Sequence, residues 1–234
     1  VRSRRQRQMC IRDRTYTNNS PDTLDVLYFH LYQNAFQPHS HMSSLYEEND
    51  KEITYGKYEK EGLGTTIENL KVNGKIVQIE LDNTVLKVIL NEKLHPNTSA
   101  HINMSFKTYY DTGSLRRRMK TFNNFGFKHF DGVHWYPSMC VYDRKFGWTT
   151  EQHTDKEFYA DFGTFDVKLT FPNDYIVDAT GILQNEKEVL PDSLREKIDL
   201  KNFTEKSAII SMPIERNDAT PKTWHFIAEN VHNF

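Results

Sequence analysis

The sequence predicts an all-β protein, an antiparallel, saddle-like β-sandwich built as a single domain with at most short helices. Apolar and polar residues alternate with a period of two in several runs, and turn residues separate these runs. Aromatic residues make up 13% of the chain, which favours a core rich in aromatic side chains between pleated sheets. The length of 234 residues is within the range of one all-β unit.

The first strand signal follows a turn. Residues 18–22 contain Asn, Ser, Pro and Asp, and residues 26–32 are rich in β-formers, so a strand is predicted there. Residues 39–64 are polar and charged, and they predict a long loop or an irregular excursion.

The pair Asn73-Gly74 is the clearest local signal in the chain. It separates the β-forming runs 67–72 and 75–81. An Asn-Gly pair favours a type I′ hairpin turn because both central residues need a positive φ. The alternation in the second run predicts a buried face formed by Val77, Ile79 and Leu81.

Later runs extend the same pattern. Their predicted buried faces are formed by Leu86, Val88 and Leu90, by Ile102, Met104 and Phe106, and by Phe165, Val167, Leu169 and Phe171. A turn at 172–174 predicts a second short strand at 175–177, and a last strand is predicted around 223–226. Residues 192–198 are the helical candidate. Without an internal repeat or a linker, one domain over 15–234 is predicted.

The first fourteen residues differ in composition from the rest. They hold six Arg and one Asp, so the 30 basic and 32 acidic residues of the chain fall to 24 and 31 without them. Residues 1–14 are either a basic arm or a non-native or disordered segment, and RQRQMCIRDR resembles translated sequencing-adapter read-through. We expect that residues 1–14 are such a sequencing artefact and not a basic arm of the natural protein. The acidic remainder predicts no nucleic-acid partner, and the lack of a long apolar run predicts no membrane span.

Sequence motifs for chemistry are absent. No HExxH is present, so the zinc site of that motif is excluded from this chain, and no catalytic residue and no metal ligand are predicted. The weaker metal-ligand pairs lack further ligands at a recognisable spacing: His39 with His41, His129 with His134, and His225 with Glu229. Cys140 is predicted to be a small buried hydrophobe. Arg116–Arg118 are predicted to be a solvated loop.

The segment from His134 to Asn185 carries the most specific pattern. It reads HWYPSMCVYDRKFGW and then EFYADFGTFDVKLTFPNDYIVDATGILQN. The elements WYP, GW and FGxFDV, in that order, resemble the N-terminal domain of the zinc aminopeptidase (gluzincin) family, the group of aminopeptidase N and leukotriene hydrolase. The likeness is greatest to a bacterial branch. It also implies that residues 15–38 form the opening hairpin of the domain.

The resemblance implies a parent enzyme rather than an active fragment. The chain would be the non-catalytic N-terminal β-saddle domain of a zinc metallopeptidase, with zinc in a C-terminal catalytic domain that is missing here. In cis with that domain, it would wall the active-site cleft and help position the N-terminus of a peptide substrate. We expect no cofactor in this fragment and no hydrolysis by it alone.

The resemblance also implies a substrate-binding segment at His134, Trp135 and Tyr136. In the family, a Gln-aromatic-Glu pattern there supplies a carboxylate for the α-amine of the substrate. In this chain His134 stands at the Gln position and Tyr136 at the Glu position. A Tyr offers a hydroxyl or a cation–π face but no charge, so strict aminopeptidase specificity is in doubt.

An alternative class stays open. A stand-alone β-sandwich module could bind peptides or glycans through an aromatic face at 134–136 and 158–165. The sequence does not indicate the compartment. If a signal peptide is missing from the N-terminus of this sequence, the parent protein would be periplasmic or secreted.

Overall fold

The computed structural model describes residues 7–115, 119–124, 126–154, 159–198, 200–202 and 220–234. The chain divides into two compact units, Val1–Ala160 and Asp161–Phe234. Both are dominated by antiparallel β-structure, which confirms the all-β fold class. In the described part of the chain, no helix is long and apolar enough to cross a membrane.

The first unit contains most of the strands. In chain order, its elements are β1 (Arg7–Thr17), β2 (Leu24–His30), a 3₁₀ turn (Tyr32–Phe36), α1 (His41–Glu48), α2 (Lys57–Lys60), β3 (Thr65–Val72), β4 (Lys75–Ile76), β5 (Gln78–Asp82), β6 (Val85–Leu94), β7 (Ser99–Tyr109), β8 (Lys120–Asn124), β9 (Phe127–Asp131), β10 (Ser138–Met139), β11 (Tyr142–Asp143) and β12 (Gly147–Trp148).

Two four-stranded antiparallel sheets build the core of this unit. One has the order β1-β7-β3-β4 and the other the order β10-β2-β6-β5. The period of two predicts the core face of β7 correctly, since Ile102, Met104 and Phe106 are each at most 3% exposed. From the other sheet, Leu27, Phe29, Leu86 and Val88 are each at most 2% exposed. Leu90, predicted on the same face, is only half-buried.

The pairing of β1 and β2 corrects one prediction. The opening hairpin implied for residues 15–38 is wrong, because β1 pairs with β7 along its whole length and β2 pairs with β6. The two strands therefore lie in different sheets. A period-two pattern specifies which face of a strand is buried, but it does not specify the partner.

The Asn73-Gly74 turn is confirmed, with φ values of 50° and 78°. Only β4 continues the hairpin, however, and after the buried Val77 the chain crosses to the second sheet as β5. The prediction that Ile79 and Leu81 are buried is wrong, because they are 40% and 55% exposed on an edge strand. These two residues do form one apolar face of β5, but among the described residues no second layer covers it.

Residues 39–64 are not a continuous loop, because they contain the two short helices α1 and α2. The prediction of a long loop is therefore wrong for these parts of the segment. The helix α1 begins after Ser40, whose hydroxyl accepts a hydrogen bond from the backbone N–H of Ser43 at 3.0 Å. Its buried Met42 packs into a small cluster with Ala35, Phe36 and Leu115. Tyr46, Ile53 and Tyr55, which are partly buried, also pack against this cluster, so several apolar residues anchor the otherwise polar segment.

The second unit contains β13 (Gly163–Phe171), β14 (Ile182–Leu183), α3 (Glu186–Val189), α4 (Asp192–Ile198), a 3₁₀ turn (Leu200–Asn202) and β15 (Lys222–Val231). Its sheet has the order β13-β15-β14. The predicted helix at 192–198 and the last strand are confirmed, and Trp224 and Phe226 are almost fully buried. The strand predicted at 175–177 is wrong, since these residues are irregular and the pairing begins after Gly181.

Candidate functional site

Residues 133–137 form a tight corner between β9 and β10, here named the WYP corner. His134 has a φ of 54°, in the left-handed region that is uncommon for residues other than glycine. The side-chain amide of Gln33 donates hydrogen bonds to the carbonyls of Val133 (3.2 Å) and His134 (3.0 Å). Because Gln33 is 1% exposed, these bonds hold the corner from within the core.

The His134 side chain is buried in a cluster of rings around Tyr32. The centroid of Tyr32 lies 4.9 Å from that of His134, 5.2 Å from that of His30 and 5.2 Å from that of His153. We name these four residues the imidazole cluster. His134 is 5% exposed, so it is placed as a core residue and not on the surface.

Burial shifts the pKa of two members of the imidazole cluster, Tyr32 and His30. It raises the pKa of the Tyr32 phenol, with smaller contributions from Cys140 and Tyr136. It also lowers the pKa of His30, against a smaller opposing effect of Glu151. Both groups are therefore neutral near pH 7, and the neutral rings pack without the cost of a buried charge.

Tyr136 is also buried, and its ring face is occupied. Its side chain is 2% exposed, and the guanidinium carbon of Arg12 lies 4.0 Å from the ring centroid. This is the geometry of a cation–π contact. The aromatic face that could receive a substrate ammonium is covered by a residue of the chain itself.

Trp135 is the member of the predicted trio that keeps accessible surface. It is half-buried, and its ring stacks on that of Phe106 with centroids 6.2 Å apart and 29° between planes. The ring of Tyr136 meets it edge-on at 5.3 Å. Two buried aromatic rings therefore fix the orientation of one partly exposed indole.

Cys140 directly follows β10, three residues after the end of the WYP corner. It is 1% exposed, and burial raises the pKa of its thiol, as does the charge of Glu151 to a smaller extent. A buried thiol with a raised pKa is a poor nucleophile. The prediction of a small buried hydrophobe is confirmed.

Sequence reasoning did not find Tyr32 and Gln33 as parts of this site. They lie about a hundred positions before the WYP corner, in a 3₁₀ turn whose five residues are all buried. No motif spacing connects the two segments. The unusual polarity of Gln33-Asn34 directly after an apolar strand was the available signal, since buried amides occur where loops need hydrogen-bond partners.

The metal-ligand pairs considered from the sequence do not assemble. His39, His41 and His129 are exposed, and His225 is paired with Asp166 (Nε2 to Oδ1, 2.7 Å) rather than with Glu229. Within the described ranges there is no group of three or more His, Cys, Asp or Glu side chains that could hold a metal. These residues do not fit the zinc of the family. Arg116–Arg118 lie outside the described residues.

Comparisons with known proteins give structural likeness only. The sequence matches no family model and no curated protein. One similar solved structure is a mutant M1 zinc metallopeptidase from Deinococcus radiodurans bound to a Tyr-Ser-Ala substrate, with a TM-score of 0.44 and 13% identity, covering 94% of this chain and 34% of that chain. Another is a two-domain M1 zinc metallopeptidase mutant bound to L-arginine, with a TM-score of 0.43 and 14% identity, covering 92% and 34%. The chain thus spans about a third of the length of these structures.

Proposed function

We propose that this chain is the N-terminal, non-catalytic domain of a zinc metallopeptidase of the aminopeptidase type. The proposal rests on the order of the WYP, GW and FGxFDV elements. Each coincides with a defined element of the fold, namely the WYP corner, β12 and the start of β13. In this proposal the catalytic zinc belongs to a following domain, in keeping with the lack of an HExxH motif in this sequence.

The observation that carries the proposed role is the pair of hydrogen bonds that Gln33 donates to the backbone of the WYP corner. Trp135 is partly exposed on a backbone that Gln33 holds from the core. In the proposal, the Trp135 ring contacts the peptide at the wall of the cleft, while His134 and Tyr136 set its position. A binding group is most useful when its own conformation is already fixed by its supporting shell.

Recognition of a substrate ammonium by Tyr136 would require the side chain of Arg12 to leave the ring face. The variant Arg12→Gln removes the cation from the ring and keeps most of the side-chain length. In a protein extended to its catalytic domain, we expect this variant to leave KM for peptides with a free N-terminus unchanged, because Tyr136 is buried and positions Trp135; a lower KM would show that Tyr136 contacts the substrate itself.

The first test is to sequence the source DNA beyond the codon of Phe234 and upstream of Thr15. An open frame that reaches an HExxH helix and a downstream Glu supports a peptidase domain. A stop codon soon after Phe234 contradicts it. The present chain should hydrolyse no aminoacyl-coumarin substrate and bind no stoichiometric zinc by elemental analysis.

The role of Trp135 is tested in the extended protein. Trp135→Leu should raise KM for peptides several-fold with a smaller change in kcat, because the ring contributes binding that does not depend on the reacting bond. Phe122→Leu is the matched control, since Phe122 is a partly exposed aromatic residue (37%) outside the corner. Equal KM values for the two variants would remove Trp135 from the proposal.

A stand-alone peptide- or glycan-binding module is the second candidate. The exposure of Phe162 (71%) and Tyr159 (57%) favours it, since large exposed aromatic side chains often mark contact sites. Phe158, which the sequence included in this aromatic face, lies outside the described residues. Binding to a peptide or glycan array that is lost in Phe162→Ser, together with a stop codon after Phe234, would support this function instead.

A further inference from the structure

Three histidine rings contact one phenol in the imidazole cluster, and each comes from a different segment. His30 ends β2, His134 belongs to the WYP corner, and His153 follows β12. The ring of Tyr32 stacks on His30 with 18° between planes, meets His153 edge-on at 77° and is tilted at 46° to His134. A single side chain therefore joins three segments that are distant in the sequence.

Two of these segments are fixed independently of the WYP corner. At His30, β2 pairs with Val85 of β6. The side-chain carbonyl of Gln152 accepts hydrogen bonds from the backbone N–H of Thr84 at 2.9 Å and from its hydroxyl at 2.6 Å. The hydroxyl of Thr84 accepts a further bond from the N–H of His153 at 2.9 Å. Because Thr84 is buried in the turn between β5 and β6, His153 has a fixed backbone position.

The WYP corner, in contrast, depends on the residue next to Tyr32. Gln33 donates the two hydrogen bonds that hold the backbone of the corner, and Tyr32 and Gln33 are consecutive residues of one 3₁₀ turn. The left-handed backbone of His134 is unfavourable for a residue with a Cβ atom and needs support from its surroundings. A displacement of Tyr32 would displace Gln33 with it, and the corner would lose both contacts.

The closed cluster has no place for a proton on His30. Nδ1 of His30 is buried and has no hydrogen-bond partner among the residues that the structure describes. A protonated imidazole carries an N–H group on both ring nitrogens, and the stacked Tyr32 offers its ring face to His30 rather than an acceptor oxygen. The protonated ring must therefore reach water, which requires the rings packed around it to separate.

The charges around His30 do not compensate such a proton. Glu151 is the carboxylate whose charge acts on His30, but it is exposed, so water screens its effect. Burial raises the pKa of Tyr32 and of the Cys140 thiol, and these groups and the phenol of Tyr136 are neutral in acid. The two other imidazoles of the cluster can only add positive charge.

We propose that the imidazole cluster is an acid-sensitive latch for the WYP corner. Protonation of the His30 ring separates it from Tyr32, the 3₁₀ turn moves with Tyr32, and the corner is released together with Trp135. The sheets of the first unit stay folded, because β2 is held by its pairing with β6. The latch consists of contacts within this chain, so it does not depend on the peptidase proposal.

The latch opens as the pH falls. In the open state, a solvated His30 has the ordinary histidine pKa of about 6.5, whereas burial lowers the pKa of His30 in the closed state. Between these two values, each pH unit raises the ratio of open to closed corner about tenfold. At pH values well above 6.5 both states are neutral at His30, so the corner stays closed.

The test uses the full chain labelled with ¹⁵N at tryptophan. The indole N–H resonance of Trp135 is assigned with the variant Trp135→Phe, and the pH is lowered from 7.5 to 5.0 and then restored. We expect a reversible shift of this resonance that begins below about pH 6.5, while the far-UV circular dichroism and the amide resonances of β7 keep their folded values. Loss of these folded signals together with the Trp135 shift would mean global unfolding and would overturn the proposal, and so would a Trp135 resonance that does not move.

Two histidine variants identify the titrating group. His30→Phe keeps an aromatic ring against Tyr32 but cannot bind a proton, so the Trp135 resonance should stay in its closed position down to pH 5.0. His129→Phe is the matched control, since His129 is an exposed histidine on β9, and it should leave the shift unchanged. Equal titrations of the two variants would overturn the proposal.

Gln33→Leu tests the connection between the cluster and the corner without changing a histidine. The closed corner then lacks the hydrogen bonds to its backbone, so the Trp135 transition should move to higher pH. A transition at the same pH as in the unchanged chain would show that the corner does not depend on the 3₁₀ turn, which contradicts the latch.

Discussion

Replacing Gln33 by leucine tests whether the WYP corner is held by the buried amide. The variant keeps a side chain of similar size but removes the donors to the carbonyls of Val133 and His134. A buried carbonyl left without a donor costs about 1–3 kcal/mol, and the partly buried Val133 carbonyl should cost less than that of His134. Some rearrangement would reduce the sum, so we expect a loss of about 2–4 kcal/mol in the free energy of unfolding.

Urea unfolding followed by tryptophan fluorescence measures this loss. With a slope of about 2 kcal/mol per M, the midpoint should fall by about 1–2 M with an unchanged slope. Gln37→Leu is the matched control, because Gln37 is half-buried and its amide makes only a long bond to Asn34 (3.4 Å). The control should lose about 0.5 kcal/mol. The reasoning is refuted if Gln33→Leu is no less stable than Gln37→Leu.

Further predictions concern buried polar groups. Asp111→Asn should cost about 3 kcal/mol in urea unfolding, because the buried carboxylate accepts three backbone N–H groups at residues 57–59. Asp50→Asn, at an exposed residue with a φ of 53° that Asn also tolerates, is the control, and equal losses in the two variants would contradict this. Because burial lowers the pKa of His30, the unfolded chain binds a proton at this residue first, so stability should decrease as the pH falls below about 6.5, the ordinary pKa of a histidine. His30→Phe should reduce that decrease between pH 7.5 and 5.5, and an unchanged slope would argue against it. In a Cys10→Ser background, Cys140 should react with a thiol reagent at pH 8 only as fast as the protein opens, because burial raises its pKa. Rapid labelling of the folded protein would show that the thiol is accessible.

The candidate site shows how far sequence reasoning reached. The WYP segment stood out in the sequence because its motif resembles a known family. The roles within it depended on depth, which the motif does not encode. Tyr136 stands where a substrate-binding carboxylate was expected, yet its ring is buried beneath Arg12. Trp135, the central residue of the motif, keeps the accessible surface.

Long-range contacts explain the missed residues. Gln33 and Tyr32 reach the corner only after the first unit has folded, since about a hundred residues separate them from it along the chain. Side-chain hydrogen bonds between distant segments follow no repeating sequence pattern, so they cannot be predicted from periodicity. The ring contacts of Trp148 have the same origin, with Tyr16 and Tyr28 brought to the β11–β12 ribbon by their strands.

The sequence by itself determined the all-β fold class of this protein and the position of most of its longer strands. The alternation in β7 and β13 and the Asn73-Gly74 turn follow from local backbone geometry, which acts over only a few residues. The tertiary structure alone decided the partners of β1 and β2 and the exposure of Ile79 and Leu81. The physical reason is that a period of two makes one face of a strand apolar, whereas burial requires a second layer, and distant parts of the chain must supply it.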